Sequence, residues 1–146
     1  MKKIVLQISK MKISTFIASG AVIGGISLLF AFIPAPDNKA WTAPPTADKE
    51  TNPVASNAAS IEAGKSVYKQ KCLDCHGPKG KGDGPKSADL DKNPQDFTKP
   101  ELQKQTDGSL FWKIAEGRKP MPSFKGELSK EQRWQVINYI RTLGKK

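Results

Sequence analysis

Polar and apolar positions follow a helical period in three stretches of the C-terminal part of the chain. The first covers residues 61–71, where apolar residues recur every three or four positions up to Cys72. Ser60 is a suitable N-cap for this helix, because its hydroxyl can accept a bond from an unpaired N–H of the first turn. Gly64 lies on the apolar face, which predicts that another backbone or a large side chain approaches closely there.

The second helical stretch covers residues 109–116 and is short. Its apolar positions define one buried face. Asp107 or Ser109 is expected to cap its N-terminus, and Gly117 is expected to end it.

The third stretch is the clearest helix signal in the chain. Ser129 and Gln132 match the capping-box pattern, in which each side chain bonds to the other residue's backbone N–H. The apolar stripe that follows consists of Val136, Ile137, Ile140 and Leu143. Gly144 then marks the end of the helix.

The region between the first two helices is rich in turn residues. Residues 77–100 contain four glycines and four prolines, a density that excludes a long helix or strand. We find no sustained period of two, so the domain is predicted to be all-α, with about three short helices and long loops. Such a domain has a thin core, and a loop of this length is expected to wrap a functional group. A large apolar cofactor would complete the interior.

The N-terminal third differs from the rest in both hydropathy and composition. Residues 13–33 carry no charge over 21 positions, a length closer to a membrane span than to the core of a signal peptide. Residues 1–34 are therefore predicted to be a signal or an uncleaved membrane anchor. Because lysines precede this segment, either reading places the rest of the chain on the extracytoplasmic (periplasmic) side, anchored to the membrane or secreted after cleavage. Residues 35–59 are predicted to be a Pro/Ala-rich flexible linker, and residues 60–146 the domain.

Charge is distributed evenly over the predicted domain and linker. The net charge of the chain is +10, and four of the lysines precede the apolar segment. Beyond residue 34, 20 Lys/Arg stand against 14 Asp/Glu, without a run of five or six like charges. This distribution argues against a nucleic-acid-binding arm and predicts acidic protein partners, which a basic surface attracts.

The stretch CLDCH, residues 72–76, contains both cysteines and the only histidine of the chain. A disulfide between Cys72 and Cys75 would close a very small loop and stabilise the fold little. A thioredoxin-like pair is expected beside a βαβ pattern, which is absent from the sequence. A structural zinc ion needs four ligands, and these residues supply three. A zinc site completed by a carboxylate or by another chain stays an alternative.

Attachment of a c-type haem uses every residue of the stretch. Cys72 and Cys75 would form thioethers with the two vinyl groups, and His76 would ligate the iron. The cofactor predicted is one covalent haem c. The second nitrogen of such a histidine usually donates to a carbonyl or a carboxylate, and Pro85 is the candidate carbonyl.

Met121 is the candidate for the second axial ligand. Methionine commonly ligates haem iron opposite histidine in electron carriers. Met1 and Met11 lie in the targeting segment, which leaves Met121 for the domain. Prolines on both sides stiffen its loop and remove two N–H donors. The alternative is that Met121 packs in the core. The sixth position of the iron would then be taken by a Lys or left open.

With these residues, the chain resembles class I cytochrome c from about residue 60 to residue 143. The resemblance rests on the CLDCHG stretch, the GKGDGP loop at residues 80–85, the Met121 loop and the helix containing QVINYIRTL. It implies that the first and last helices cross at near right angles, with Gly64 and Tyr68 against Val136 and Tyr139. It also implies that Pro85 is the carbonyl partner of His76 and that Met121 is the sixth ligand.

The predicted function is one-electron transfer between extracytoplasmic respiratory redox proteins, without an enzymatic activity of its own. Expected partners are acidic redox proteins such as an oxidase or a quinol-oxidising complex, with the membrane contacted through the N-terminal segment and no nucleic acid. One alternative is a haem subunit docked permanently in an oxidase or dehydrogenase complex. The others are a haem enzyme or sensor with a labile sixth ligand, and a zinc or thiol module without haem.

Overall fold

A computed structural model describes residues 40–144 of the chain. Within this range every regular element is helical, which confirms the all-α prediction. One isolated bridge pairs Arg118 with Met121. A 3₁₀ turn spans Ser87–Asp89. The α-helices are α1 Pro45–Asp48, α2 Ala58–Lys71, α3 Leu73–His76, α4 Pro100–Gln103, α5 Asp107–Glu116 and α6 Lys130–Leu143.

Helix α2 begins earlier than predicted. Asn57, not Ser60, is its N-cap, and its side chain accepts a bond from the Ser60 N–H at 2.9 Å. Ser60 occupies the third helical position and accepts the Asn57 N–H at 3.2 Å, which completes a capping box. The helix extends upstream because Ala58 and Ala59 are strong helix formers and asparagine is a preferred cap.

The N-cap of α5 differs from the prediction, whereas the end of α5 and the capping box of α6 agree with it. Helix α5 begins at Asp107 because the Thr106 hydroxyl accepts the Ser109 N–H at 3.0 Å, so neither predicted residue is the cap. Gly117 ends this helix as predicted. In α6 the capping box of Ser129 and Gln132 is confirmed, with bonds of 2.9 and 3.1 Å.

Helices α2 and α6 pack with their backbones in contact at Gly64. A Cβ atom at position 64 would lie 1.9 Å from the carbonyl oxygen of Gln135 and 3.0 Å from the backbone nitrogen of Val136. One turn later, the rings of Tyr68 and Tyr139 lie 5.1 Å apart. The contact expected from the resemblance is therefore present, and it requires glycine because any side chain would push the helices apart.

The core lies between these two helices and the segments that cover them. Its most completely buried side chains are Tyr68, Val136 and Ile137. The Tyr68 hydroxyl donates to the Gly77 carbonyl at 2.6 Å, which ties α2 to the loop that follows α3. The remaining buried members of the cluster are Val67, Phe97, Leu102, Leu110, Phe124, Leu128, Trp134 and Ile140.

The segment before α2 is packed against the domain, in contrast to the flexible linker predicted for residues 35–59. Within the described part of it, Ala43 and Ala47 are buried. Asn52 donates to the side-chain oxygen of Asn138 at 2.9 Å, and Asn138 donates to the carbonyl of Val54 at 3.1 Å. The prediction fails because these bonds reach a helix more than 80 positions away, which local composition does not reveal.

The predicted targeting segment, residues 1–34, lies outside the described residues. In the range 40–144, no helix has the length and apolar character needed to cross a membrane.

We predict that Gly64→Ala destabilises the holoprotein by about 1–3 kcal/mol, because the new methyl group meets the backbone of α6. Gly126→Ala is the matched control, since a Cβ atom there meets nothing within 4 Å. Its expected effect is within about 0.5 kcal/mol. Denaturant unfolding followed by far-UV circular dichroism measures both. Equal stability of the two variants would contradict the close contact.

Candidate functional site

The two cysteines and the histidine lie on a single helical turn. Cys72 ends α2 and caps α3, and the N–H of His76 donates to the Cys72 carbonyl at 2.8 Å. Both cysteines are free and half-buried. Because the turn is helical, the two thiols and the imidazole are held by one short piece of backbone.

The state of Cys72 argues against a redox-active thiol pair. Burial, and next the neighbouring Cys75, raise the pKa of the Cys72 thiol to about 12. A thiol that attacks disulfides is typically one whose pKa is lowered by an electropositive surrounding. Moreover, no three His, Cys, Asp or Glu side chains within residues 40–144 converge in a way that could hold a metal ion.

The loop that follows α3 caps the carboxyl end of that helix. The last carbonyls of a helix lack partners within the helix. Three alternate N–H groups of the loop bond to three successive carbonyls: Gly82 to His76 at 3.0 Å, Gly84 to Cys75 at 3.1 Å and Lys86 to Asp74 at 2.8 Å. A Cβ atom at Gly84 would lie 2.4 Å from the backbone carbonyl oxygen of Asp74, so this part of the GKGDGP loop lies directly on α3.

The imidazole of His76 is oriented by residues at the far end of the same loop. Its Nδ1 lies 3.3 Å from the carbonyl oxygen of Gln95, and its ring stacks on Phe97 with centroids 4.2 Å apart and planes at 20°. With the proton on Nδ1, His76 donates to Gln95 and the lone pair of Nε2 is left for a metal. Burial lowers the pKa of His76, which favours the neutral imidazole that ligates metals.

The carbonyl partner of His76 is therefore Gln95, and the prediction of Pro85 is corrected. Pro85 lies between Gly84 and Lys86, whose N–H groups bond to α3, and it is exposed. The carbonyl oxygen that reaches Nδ1 comes from ten positions further along the chain. Every residue has a backbone carbonyl, so the motif at residues 72–76 predicts that His76 has a carbonyl partner but does not indicate which residue supplies it.

Met121 is held on a separate loop that is attached to α5. Its N–H donates to the Arg118 carbonyl at 2.9 Å. The chain then returns to α5, where the N–H of Phe124 bonds to the Ile114 carbonyl at 3.1 Å and the Ser123 hydroxyl to the Ala115 carbonyl at 2.6 Å. Met121 is half-buried and packs on the hydrophobic cluster that contains Phe97.

The arrangement satisfies the chemistry of a covalent haem. The thiol of Cys72 and the thioether of Met121 pack on one apolar cluster, and His76, with its Nδ1 already bonded, stacks on Phe97 of the same cluster. The second free thiol, Cys75, lies on the same turn as His76. Thiols are the groups that add to the vinyl substituents, and imidazole and thioether are the usual axial ligands of electron carriers. Sequence reasoning missed Gln95 and Phe97. An aromatic residue in a loop rich in glycine and proline was the one available signal for Phe97.

Comparison with known proteins agrees with these features. The model of a family described as "Cytochrome C oxidase, cbb3-type, subunit III" matches residues 59–140. No curated protein matches the chain significantly.

Two solved structures with the same fold are similar to this chain. One is a chain of the Kuenenia stuttgartiensis reducing HAO-like protein complex Kustc0457/Kustc0458, at 32% identity and a TM-score of 0.58. The match covers 62% of this chain and 46% of that chain, so the similarity extends over about half of the longer protein. The other is the KustC0563 c-type cytochrome, at 28% identity and a TM-score of 0.50, with 56% of this chain and 98% of that chain covered.

These matches confirm the resemblance to class I cytochrome c. Because the family model covers more than half of the chain, this protein belongs to the c-type cytochromes, in the family described as cbb3-type cytochrome c oxidase subunit III.

Proposed function

We propose that this protein is a one-electron carrier with a single haem c, attached through Cys72 and Cys75 and ligated by His76 and Met121. Its family membership already makes it a haem-based electron-transfer protein rather than an enzyme. When bound, the haem iron supplies the Fe(II)/Fe(III) couple. The protein supplies attachment, axial ligands and an apolar surrounding that limits water.

The observation that carries the proposal is the orientation of His76. Its ring is fixed by the Gln95 carbonyl and by Phe97, while its backbone belongs to the same turn as both thiols. A ring held in this way presents Nε2 in one direction, so an axial ligand can keep its position through a change of oxidation state. Rigid ligation of that kind suits electron transfer.

Met121 as the second ligand is supported by the attachment of its loop. Bonds from Ser123 and Phe124 to the end of α5 hold this loop on a rigid element. A thioether ligand raises the potential of the iron relative to a second imidazole.

We further propose that the domain works on the extracytoplasmic side of a membrane and exchanges electrons with an oxidoreductase complex. The charge-free residues 13–33, preceded by lysines, support export. Two comparisons support an oxidoreductase complex as the partner. The family is described as an oxidase subunit, and one similar structure is a chain of a multi-protein complex.

The proposed function is tested by a redox titration of the exported full-length protein, followed by visible absorption. We expect one reversible transition that involves a single electron, together with a thioether–iron band in the oxidised form. Strong carbon monoxide binding by the native reduced form would instead indicate an open sixth site and support a haem enzyme or sensor.

We predict that Met121→Ala removes the thioether–iron band, lowers the midpoint potential and permits carbon monoxide binding by the reduced protein. Met11→Ala is the control, since this methionine belongs to the predicted targeting segment. An unchanged spectrum in Met121→Ala would show that another residue is the ligand.

Permanent docking in a complex is the second candidate, favoured by the family description. Size-exclusion chromatography of detergent-extracted membranes at low and high salt distinguishes it from shuttling. A docked subunit elutes with the complex at both salt concentrations. A shuttle held by charge elutes as a small protein at high salt, because added ions screen contacts between exposed charges.

A further inference from the structure

A cavity of about 330 Å³ lies between α1, α5 and α6 and is lined by none of the proposed haem ligands or attachment residues. Its volume is at the lower end of the range for small-molecule sites. Ala47 and Ala115 contribute small side chains, which leave room against three aromatic residues of the two longer helices: Phe111, Trp112 and Trp134.

Arg133 in the wall of this cavity is a buried cation without an anionic partner. It is 5% exposed, and its Nε is buried without a hydrogen-bond partner in the described structure. None of the ion pairs found within residues 40–144 includes it. The guanidinium carbon lies 4.5 Å from the centroid of Phe111, a cation–π contact that offsets part of the desolvation cost. A buried charge normally requires a counter-ion as well.

The aromatic part of the wall lies beside this charge. Phe111 is enclosed between Trp134, whose ring stacks on it at 4.0 Å with planes 13° apart, and the guanidinium of Arg133, so both of its faces are covered. Trp112 lines the same space and is half-buried, so its indole and the ring edges of Phe111 and Trp134 give the cavity an apolar wall.

The charged residues at the rim limit the ligand to a small anion. Lys125 is paired with Glu116 at 3.2 Å, so these two charges largely offset each other. Lys130 and Glu50 are both exposed and of opposite sign. The remaining charge is the buried Arg133, which one carboxylate would neutralise, whereas a dianion would leave one negative charge without a partner.

We propose that this cavity binds a small molecule with one carboxylate and a flat apolar body. The carboxylate pairs with the guanidinium of Arg133, for which a planar bidentate partner is the best fit. The body of the ligand lies against the indole of Trp112 and the ring edges of Phe111 and Trp134. Because the haem ligands do not line this site, the proposal stands independently of the proposed electron-transfer function.

The test compares benzoate with its neutral isostere benzamide on the full-length holoprotein. Calorimetry is expected to show one saturable site for benzoate and binding of benzamide weaker by about tenfold or more, since benzamide leaves Arg133 without a counter-ion. In ¹H–¹⁵N spectra of the reduced protein, benzoate is expected to shift the Arg133 Nε–H and the indole N–H of Trp112 and Trp134. Acetate, which lacks the flat body, is expected to bind more weakly than benzoate. No saturable benzoate binding, or equal affinity for benzoate and benzamide, would overturn the proposal.

Two variants at the rim test the charge argument without disturbing a buried residue, and a variant at the buried Arg133 tests the proposed counter-ion directly. Glu50→Gln is expected to tighten benzoate binding and Lys130→Gln to weaken it, each by about two- to fivefold, as for exposed charges. Glu101→Gln, which removes an exposed carboxylate outside the cavity lining, is the control. Arg133→Gln is expected to abolish the preference for benzoate over benzamide. Identical affinities in Glu50→Gln, Lys130→Gln and the control would count against the site.

Discussion

The backbone contact between α2 and α6 is the constraint that positions the rest of the structure. Gly64 allows the carbonyl of Gln135 to occupy the space that any side chain would fill. Since α2 continues without interruption into Cys72, the contact that fixes α2 also fixes the first thiol. Tyr68 extends this control to the end of the turn, because its buried hydroxyl bonds to the carbonyl of Gly77. The proposed attachment site is thus framed by the two longest helices of residues 40–144 rather than carried on a free loop.

The loop that follows α3 completes the site, and it does so mainly with backbone groups rather than side chains. Alternate N–H groups of residues 82–86 take up the last carbonyls of α3, and the Gln95 carbonyl accepts from the His76 ring. A loop without regular structure therefore acts as a helix cap and as the orienting partner of the proposed ligand. Phe97 then joins His76 to the hydrophobic cluster on which Met121 packs. This continuity explains how two candidate ligands, 45 positions apart, come to border a common apolar interior.

Features that depend on neighbouring residues were predictable from the sequence, whereas features that depend on residues far apart in the chain were not. The capping box of Ser129 and the glycine on the face of α2 carry local signals, and both predictions agree with the structure. The motif at residues 72–76 likewise identifies the candidate site, because its chemistry lies in side chains. The ordering of residues 40–57 by Asn138 and the pairing of His76 with Gln95 were not predictable, since they depend on contacts far along the chain and on backbone atoms. The buried charge of Arg133 was equally hidden, because only the packing of α5 against α6 shows that it lacks a partner.

Peptide mapping of the exported full-length protein by mass spectrometry shows whether a haem is bound covalently to Cys72 and Cys75. After denaturation and proteolysis, we expect one peptide containing Cys72, Cys75 and His76 to carry the mass of a single haem. The same peptide with two unmodified thiols, or with a disulfide between them, from protein produced with functional haem-attachment machinery would contradict this expectation.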